Sequence, residues 1–351
     1  MVDYLVVGLG LAGISFCETL EKHGKSYIVV SDGSQQASVV AGGLYNPVIL
    51  KRFTLAWKAH EQLAVALPFY SALEKKLGVT LDYKLRVLRR FASVEEQNNW
   101  FEATDQPNLQ SLLSTKLIPN SNPSLHAPYG YGEVLGTGRI DTALLIARYK
   151  QYLLEKKALL NASFDFDTLE IGEENIRYGK VQAKHLVFAT GYGLTQNPYF
   201  GYLPLNGTKG ELLTIKAPAL QEEQVIKSSV FIIPLGGDAY RIGATYKWQD
   251  KTNEPTPEAR SELETKLRSF LQCDYEVIRH VAGIRPTVAD RRPLLGRHPE
   301  YKKLFLLNGF GSRGVMIAPF ASDILFKYIE KGGLIPAEMD VERYKKRYQR
   351  P

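Results

Sequence analysis

The sequence predicts a mixed α/β fold, α+β overall, in which a parallel strand–helix–strand unit is joined to antiparallel sheet. Three observations carry this. DYLVVGLGLAG (3–13) runs an apolar strand into regularly spaced glycines. HLVFATGYG (185–193) is a second apolar strand, stopping on Ala-Thr-Gly. RVLRRFAS (86–93) and FIIPLGGDAYRIGAT (231–245) are strand and hairpin patterns that belong to no strand–helix–strand unit.

At 351 residues the chain exceeds one ordinary core and suits two domains. Its 44% hydrophobic and 23% charged residues are those of an ordinary globular protein, and no run approaches the roughly 18 apolar residues of a membrane span. The N-terminus carries Asp3 where a signal peptide would be basic, so its glycines read as structure. Two cysteines, Cys17 and Cys273, exclude a disulfide framework and a cysteine-based metal site. His280 and His298 lack partners at metal-ligand spacing, so no metal is expected, and the expected location is cytoplasmic. The net charge of +7 suits anionic ligands without specifying nucleic acid. RYKKRYQR (343–350) reads as a solvated tail.

The N-terminal unit can be justified residue by residue. The strand Tyr4 to Val7 runs into Gly8-x-Gly10-x-x-Gly13; Ile14, Cys17 and Leu20 then recur every three residues, and Gly24 is a helix stop. A strand from Tyr27 to Val30 follows and ends in Ser31-Asp32-Gly33. This is the order of the dinucleotide-binding, Rossmann-type fingerprint. Gly8 permits the tight turn, Gly10 admits a pyrophosphate, Gly13 packs helix on strand, and the helix N-terminus supplies free amides. The ribose acid is Asp32, with Ser31 at the last strand position as the alternative; an acid there disfavours a 2′-phosphate. GYGEVLGTG (130–138) lacks a preceding apolar strand and reads as a loop, which leaves one dinucleotide site.

Elsewhere, RVLRRFAS leads into Ser93-x-x-Glu96, a capping box that opens a helix, and the hairpin turns at Gly236-Gly237-Asp238. WKAHEQLAVAL (57–67) is helix-like, with His60 on its surface. In HVAGIRPTVADRRPLLG (280–296), Arg285 follows four residues of little polarity and is fixed by Pro286. Two readings stay open: a guanidinium placed for an anionic ligand, or a structural pair with Asp290. Arg291 and Arg292 read as solvated or structural.

Taken in order, VVGLGLAG, SVVAGGLYNP (38–47), RIDTALLIARYKQYL (139–153), HLVFATG, YLPLNGTKGELL (202–213), YRIGATYKW (240–248), AGIRPTVADRRPLLGRHPE (282–300) and LFLLNGFGSRGVMIAP (304–319) resemble one family. It is the FAD-dependent amine and amino-acid oxidoreductases of the D-amino-acid oxidase and glycine/sarcosine oxidase group. The resemblance covers nearly the whole chain. It implies a discontinuous Rossmann-like FAD-binding domain built from 1–50, 136–195 and 281–351. An antiparallel-sheet substrate domain would be built from 51–135 and 196–280.

By the same resemblance, Gly8, Leu9, Gly10, Leu11, Ala12 and Gly13, with Ser31 and Asp32, take the dinucleotide. Ala41, Gly42, Gly43 and Leu44 wrap the cofactor, and Thr190 and Gly191 close the middle strand on it. Gly311, Ser312, Arg313, Gly314, Val315 and Met316 bring amides to the pyrimidine end of the flavin. Some sarcosine oxidases carry a cysteine just before the arginine, where this chain has Gly283, so non-covalent FAD is implied.

GIRP matches the family segment whose arginine pairs with the substrate carboxylate, which gives that role to Arg285; a planar guanidinium offers two parallel hydrogen bonds. Tyr246 is a candidate to cap the same carboxylate, or packs in the core. Tyr45 lies near the flavin or anchors its loop. Arg241 aligns, by ungapped counting, with a flavin-side lysine of sarcosine oxidases. The second arginine of glycine oxidase-like members falls on Ser312, with Arg313 one place later.

GSRG, GLYNP and GATY resemble the oxidase half of the bifunctional enzyme that matures a tRNA wobble uridine. The chain begins at the flavin fingerprint, so the methyltransferase domain of that enzyme is not expected. The favoured reading is therefore oxidation of a small amine or amino acid, with O2 or another carrier as electron acceptor. Removal of a carboxymethyl group from tRNA is the alternative. An NAD-linked dehydrogenase and a non-catalytic flavin-binding protein belong to other classes.

Overall fold

The computed structural model describes residues 1–348. Five parallel strands form the centre of the first sheet, in the order Leu159–Leu160, Tyr27–Val30, Val2–Val7, Val181–Phe188 and Leu304–Asn308. Numbered by chain order this is 3-2-1-4-5, the doubly wound arrangement. The central strands are apolar along their length because helices cover the sheet: Tyr4, Leu5, Val6 and Val187 are fully buried. The helix Leu11–Lys22 packs on Gly314–Lys331, which also packs against Ala59–Leu77. Ile14, Phe16 and Leu20 meet Leu325, Phe326 and Tyr70 in one core.

The second sheet has seven strands, in the order Glu276–Arg285, Thr208–Lys216, Ala239–Gly243, Phe231–Gly236, Val225–Lys227, Val87–Arg90 and Tyr131–Val134. It is antiparallel except where Val225–Lys227 runs parallel to Val87–Arg90. The helix Pro257–Arg268 lies against it, sending Leu263 and Leu267 into a core with Leu213, Ile215 and Ile242. That helix starts where Thr256 accepts from the Ala259 amide and Pro257 occupies the first turn. The Ser93 cap also forms, accepting from the Glu96 amide, while the Glu96 carboxylate accepts from the Ala92 amide at 2.7 Å. The hairpin Phe231–Gly236/Ala239–Gly243 turns at Gly237-Asp238.

Four expectations change. Residues 130–138 are not a loop: Tyr131–Val134 is the edge strand of the second sheet, and Gly138–Ile140 pairs with Leu44–Tyr45. Strand pairing and burial of Tyr131 and Val134 outweigh the glycines. The expected division after residue 50 is displaced, because Ala59, Ala66, Tyr70 and Leu73 share the core of the first sheet's helices. The division at 280/281 falls inside the strand Glu276–Arg285. The basic stretch near the C-terminus is docked through Arg343 and Tyr344, while Lys345, Lys346 and Arg347 are exposed as expected. Arg343 Nε and the Tyr344 hydroxyl donate to Asp290 at 3.1 and 2.8 Å; Gln349 and Arg350 lie outside the described residues. No described helix is long and apolar enough to cross a membrane.

Candidate active site

The strand order reverses between Val2–Val7 and Val181–Phe188, and a ligand crevice is expected at the carboxyl ends of those strands. Gly8 and Ala189 meet there. A Cβ on Gly8, whose φ is +105°, would stand 2.5 Å from the Ala189 carbonyl oxygen. A Cβ on Gly13 would stand 2.0 Å from the Gly8 carbonyl oxygen, so only glycine lets this helix lie so close on its strand.

A cavity of about 970 Å³ opens beyond these strand ends, large even among ligand pockets of about 300–1,000 Å³. Two helices begin on it, Leu11–Lys22 and Gly314–Lys331. Neither has a side-chain cap or an acid in its first turn. Val94–Thr104, Thr142–Glu155 and Pro257–Arg268, which start elsewhere, are all capped by side chains. Uncapped amides and the positive dipole end suit phosphate or another anion. Ser38, unremarked in the sequence, accepts from the Leu11 amide at 3.2 Å through its hydroxyl oxygen.

The opposite wall is the face of the second sheet. Gly283, Gly210 and Gly243 stand on three neighbouring strands and all line the cavity. Glycine in a strand interior weakens it, and here marks a close approach. The signal was present in VAGIR, TKGEL and RIGAT but needed the pairing register to become a surface.

Of the sequence-derived positions, residues 8–12, 31–32, 41–44, 190–191 and 311–316 line the cavity, together with Tyr246 and Arg285. Gly13 is packed beneath it, as its helix–strand role requires. Tyr45 and Arg241 are the corrections. Tyr45 is buried and turns its hydroxyl away, donating to Asp82 at 2.8 Å; it anchors its loop. Arg241 does not reach the cavity wall: it donates to the Ala41 carbonyl at 3.2 Å and braces the wrapping loop from behind. Counting along one strand could not show that a neighbouring loop crosses over that side chain. Asp32 stands at the strand end, its carboxylate accepting from the Ser163 hydroxyl and the Ser34 amide.

Arg285 lies across Gly210, its guanidinium carbon 4.3 Å from the centre of the Tyr246 ring. Its only protein hydrogen bond among the described residues goes to the Thr245 carbonyl at 3.3 Å. Burial lowers its pKa, and Tyr246 opposes that shift. The structural pair with Asp290 is not made, since Asp290 is held by Arg343 and Tyr344. Arg313 is half-buried in the same way: it donates to the Asn46 carbonyl at 2.8 Å, and partial burial again lowers its pKa. Two partly desolvated guanidiniums without a carboxylate among the described residues favour the arrival of an anion. Tyr246 is 53% exposed, so it is not a core residue; its ring face covers the guanidinium.

The loop carrying Tyr246 is tied down by an ion network. Lys209, fully buried, donates to Asp250, to the Thr252 hydroxyl and to the Glu254 carbonyl. Glu211 accepts from the Thr256 amide and hydroxyl. His280 lies 3.0 Å from Glu211, close enough for an ion pair but not aligned as a hydrogen bond. His298 is a structural staple, its Nδ1 accepting from the Glu300 and Tyr301 amides. Among the described residues no group of three or more His, Cys, Asp or Glu could hold a metal ion.

Sheet order, crevice and uncapped helix ends together define a dinucleotide-binding protein of the doubly wound class, with a second sheet closing the ligand cavity. The chain belongs to the FAD dependent oxidoreductase (DAO) family, whose model matches residues 3–327. It is 26% identical to a glycine oxidase of Bacillus subtilis (strain 168) over 55% of this chain and 56% of that one. It is 22% identical to the tRNA 5-methylaminomethyl-2-thiouridine biosynthesis bifunctional protein of Legionella pneumophila (strain Corby), over 93% of this chain and 54% of that one. Each match spans about half the length of the relative. A solved glycine oxidase from Geobacillus kaustophilus superposes with a TM-score of 0.77 at 20% identity, over 96% of both chains, and so shares the fold.

Proposed function

We infer that the protein oxidises the C–N bond of a small amino acid or secondary amine, with the substrate carboxylate held by Arg285 and FAD bound non-covalently. The observation that carries this reading is Arg285 itself: a half-buried guanidinium on the cavity wall, covered by Tyr246 and paired with no acid among the described residues. Relatives with this fold include glycine oxidases, an iminodiacetate oxidase and an L-proline dehydrogenase, whose names all denote oxidation of amino acids or of an amino dicarboxylate.

The residues fit the cofactor. The amides of the helix Leu11–Lys22 would hold the pyrophosphate, Asp32 the ribose, and the first turn of Gly314–Lys331 the pyrimidine end of the ring. Cys17 is buried in a core and Cys273 packs against another, so neither thiol reaches the cavity. Bound FAD would supply the acceptor for the hydride lost by the substrate carbon. Arg285 fixes the carboxylate and so orients that carbon. Asp32 is the only carboxylate among the cavity-lining residues, and it stands at the nucleotide end. No carboxylate base among the described residues therefore serves the amine.

Anaerobic mixing of the flavoprotein with glycine, sarcosine, L-proline and a D-amino-acid panel tests the reading. Bleaching of the oxidised flavin by one of them, abolished in Arg285→Ala, supports it; no bleaching by any of them argues against it. A second reading, removal of a carboxymethyl group from a tRNA uridine, is favoured by Tyr246 and Trp248. Both are half-exposed, Tyr246 lines the cavity mouth, and Lys51 and Arg52 line the cavity as exposed cations, an arrangement suited to base stacking and phosphate. Carboxymethylaminomethyl-uridine tRNA as reductant tests it directly.

A further inference from the structure

Lys227 has no part in the reading above, yet it lines the same cavity. It ends the strand Val225–Lys227, and the register places it in a row with Phe231, Gly243 and Leu212 across four strands of the cavity wall. Its ammonium lies over the Phe231 ring, 4.5 Å from the centre. No acid pairs with it among the described residues. The charged groups facing it are themselves cations: Arg89, engaged with Glu96, and Lys266, engaged with Glu262. Burial first, then these two neighbours, pull its pKa down to about 8.

The wider charge pattern points the same way. Apart from Asp32 and Lys150, the charged residues lining the cavity are Lys51, Arg52, Lys227, Arg285, Arg291 and Arg313. None of these six forms an ion pair among the described residues, and no acid stands among them. The pyrophosphate of FAD would meet the helix Leu11–Lys22 and an α-carboxylate would meet Arg285, which leaves the cations at the Lys227 end unanswered. Lys51 and Arg52 sit in the turn of a hairpin whose Val48, Leu50 and Phe53 pack with Val225 and Ile233, which brings them to the Lys227 end. Lys227 stands in register with Leu212, three strand spacings of about 4.8 Å away, and Gly210, over which Arg285 lies, is two residues, about 7 Å, further along that strand. The Lys227 ammonium sits over Phe231, one strand nearer, so the two charges stand on the order of 12 Å apart, with apolar Leu212 and Phe231 between them.

We propose that the Lys227 end of the cavity is a second anion subsite, and that the preferred substrate is an amine with an anionic group at each end. One carboxylate sits on Arg285, an apolar chain crosses Phe231, and a carboxylate or phosphate meets Lys227 and the hairpin cations. This rests on the amine-oxidising reading for the chemistry, but not for the binding.

The test compares three N-substituted glycines as anaerobic reductants of the holoenzyme: N-(4-carboxybutyl)glycine, N-(4-phosphonobutyl)glycine and neutral N-pentylglycine. The wild type reduces at least one dianion with a kcat/KM at least about tenfold above the neutral compound, and the better dianion identifies the terminal group as carboxylate or phosphate. In Lys227→Met that ratio falls toward one through KM, and Lys227→Arg restores it. The preference declines above pH about 8, as the lysine loses its proton. Equal rates for all three in the wild type, or a ratio unchanged in Lys227→Met, overturn the proposal. If none reduces the flavin, the amine-oxidising reading fails, and calorimetry with heptanedioate still decides the subsite. Binding to wild type and Lys227→Arg but not to Lys227→Met supports it, and absence of binding to wild type overturns it.

Discussion

The guanidinium of Arg285 occupies the space where a side chain at Gly210 would stand: a Cβ there falls 2.1–2.3 Å from its two terminal nitrogens and central carbon. The clamp is therefore a property of two strands, and its position can be altered without touching the arginine. Gly210→Ala should fold, because the clash is with the movable end of a long side chain. It should keep its flavin, yet bind a carboxylate such as acetate at least about tenfold more weakly. Titration of the flavin spectrum measures this, and an unchanged affinity would contradict the assignment.

Replacing the fork itself separates geometry from charge. Arg285→Lys keeps a cation but loses the paired donors, so kcat/KM should drop about 10- to 150-fold, as expected for about 1.5–3 kcal/mol of charged hydrogen bonding. Asp290→Asn is the control, since Asp290 holds Arg343 and Tyr344 and not Arg285. It should leave turnover intact and cost at most about 1 kcal/mol in urea denaturation, the pair being partly exposed.

Lys209 should matter more than its distance from Arg285 suggests. Lys209→Met strands Glu211, which is buried, and frees the segment through Glu254 that follows Tyr246. A loss of about 3 kcal/mol or more is expected, with faster proteolysis around Trp248. Equal stability of variant and wild type would mean the network is idle.

On the helix side, Glu21 provides a pH signature. Burial raises its pKa, but hydrogen bonds from Lys156, Lys76 and Tyr27 outweigh that and hold it at about 2, below its ordinary 4.5. A depressed carboxylate stabilises the fold above pH 4.5, and that stabilisation is lost as the pH falls toward 2. Glu21→Gln should therefore be less stable than wild type at pH 7, by about 1.5–3 kcal/mol, and the two should converge between pH 4.5 and 2. A constant gap across that range would exclude the ionic origin.

The features legible in the sequence were those written locally. Gly8, Gly10 and Gly13 prescribe a turn, an approach and a packing distance within six residues, and Ser93 caps a helix whose Glu96 is three residues away. Arg285 stood out because four apolar neighbours and a proline surround it. What stayed hidden depends on partners far along the chain. Tyr131–Val134 becomes a strand only by pairing with Val87–Arg90, and Tyr45 turns inward because Asp82 waits there. Arg241 is screened by a loop two hundred residues earlier. Lys227 passed unnoticed because nothing in VIKSS tells an inward lysine from a solvated one.

The 3-2-1-4-5 strand order also sets a schedule for biosynthesis. The glycine fingerprint is translated first, but its neighbouring strand ends at Phe188 and the second uncapped helix begins at Gly314. At about 5–20 residues per second, some 15–60 s pass between the first and last walls of the cavity leaving the ribosome. Until Ala189 emerges Gly8 has no partner to lean on, and until Gly314–Lys331 follows the helix Leu11–Lys22 lacks its packing partner. The cavity is thus completed late in synthesis, when the helix Gly314–Lys331 has emerged.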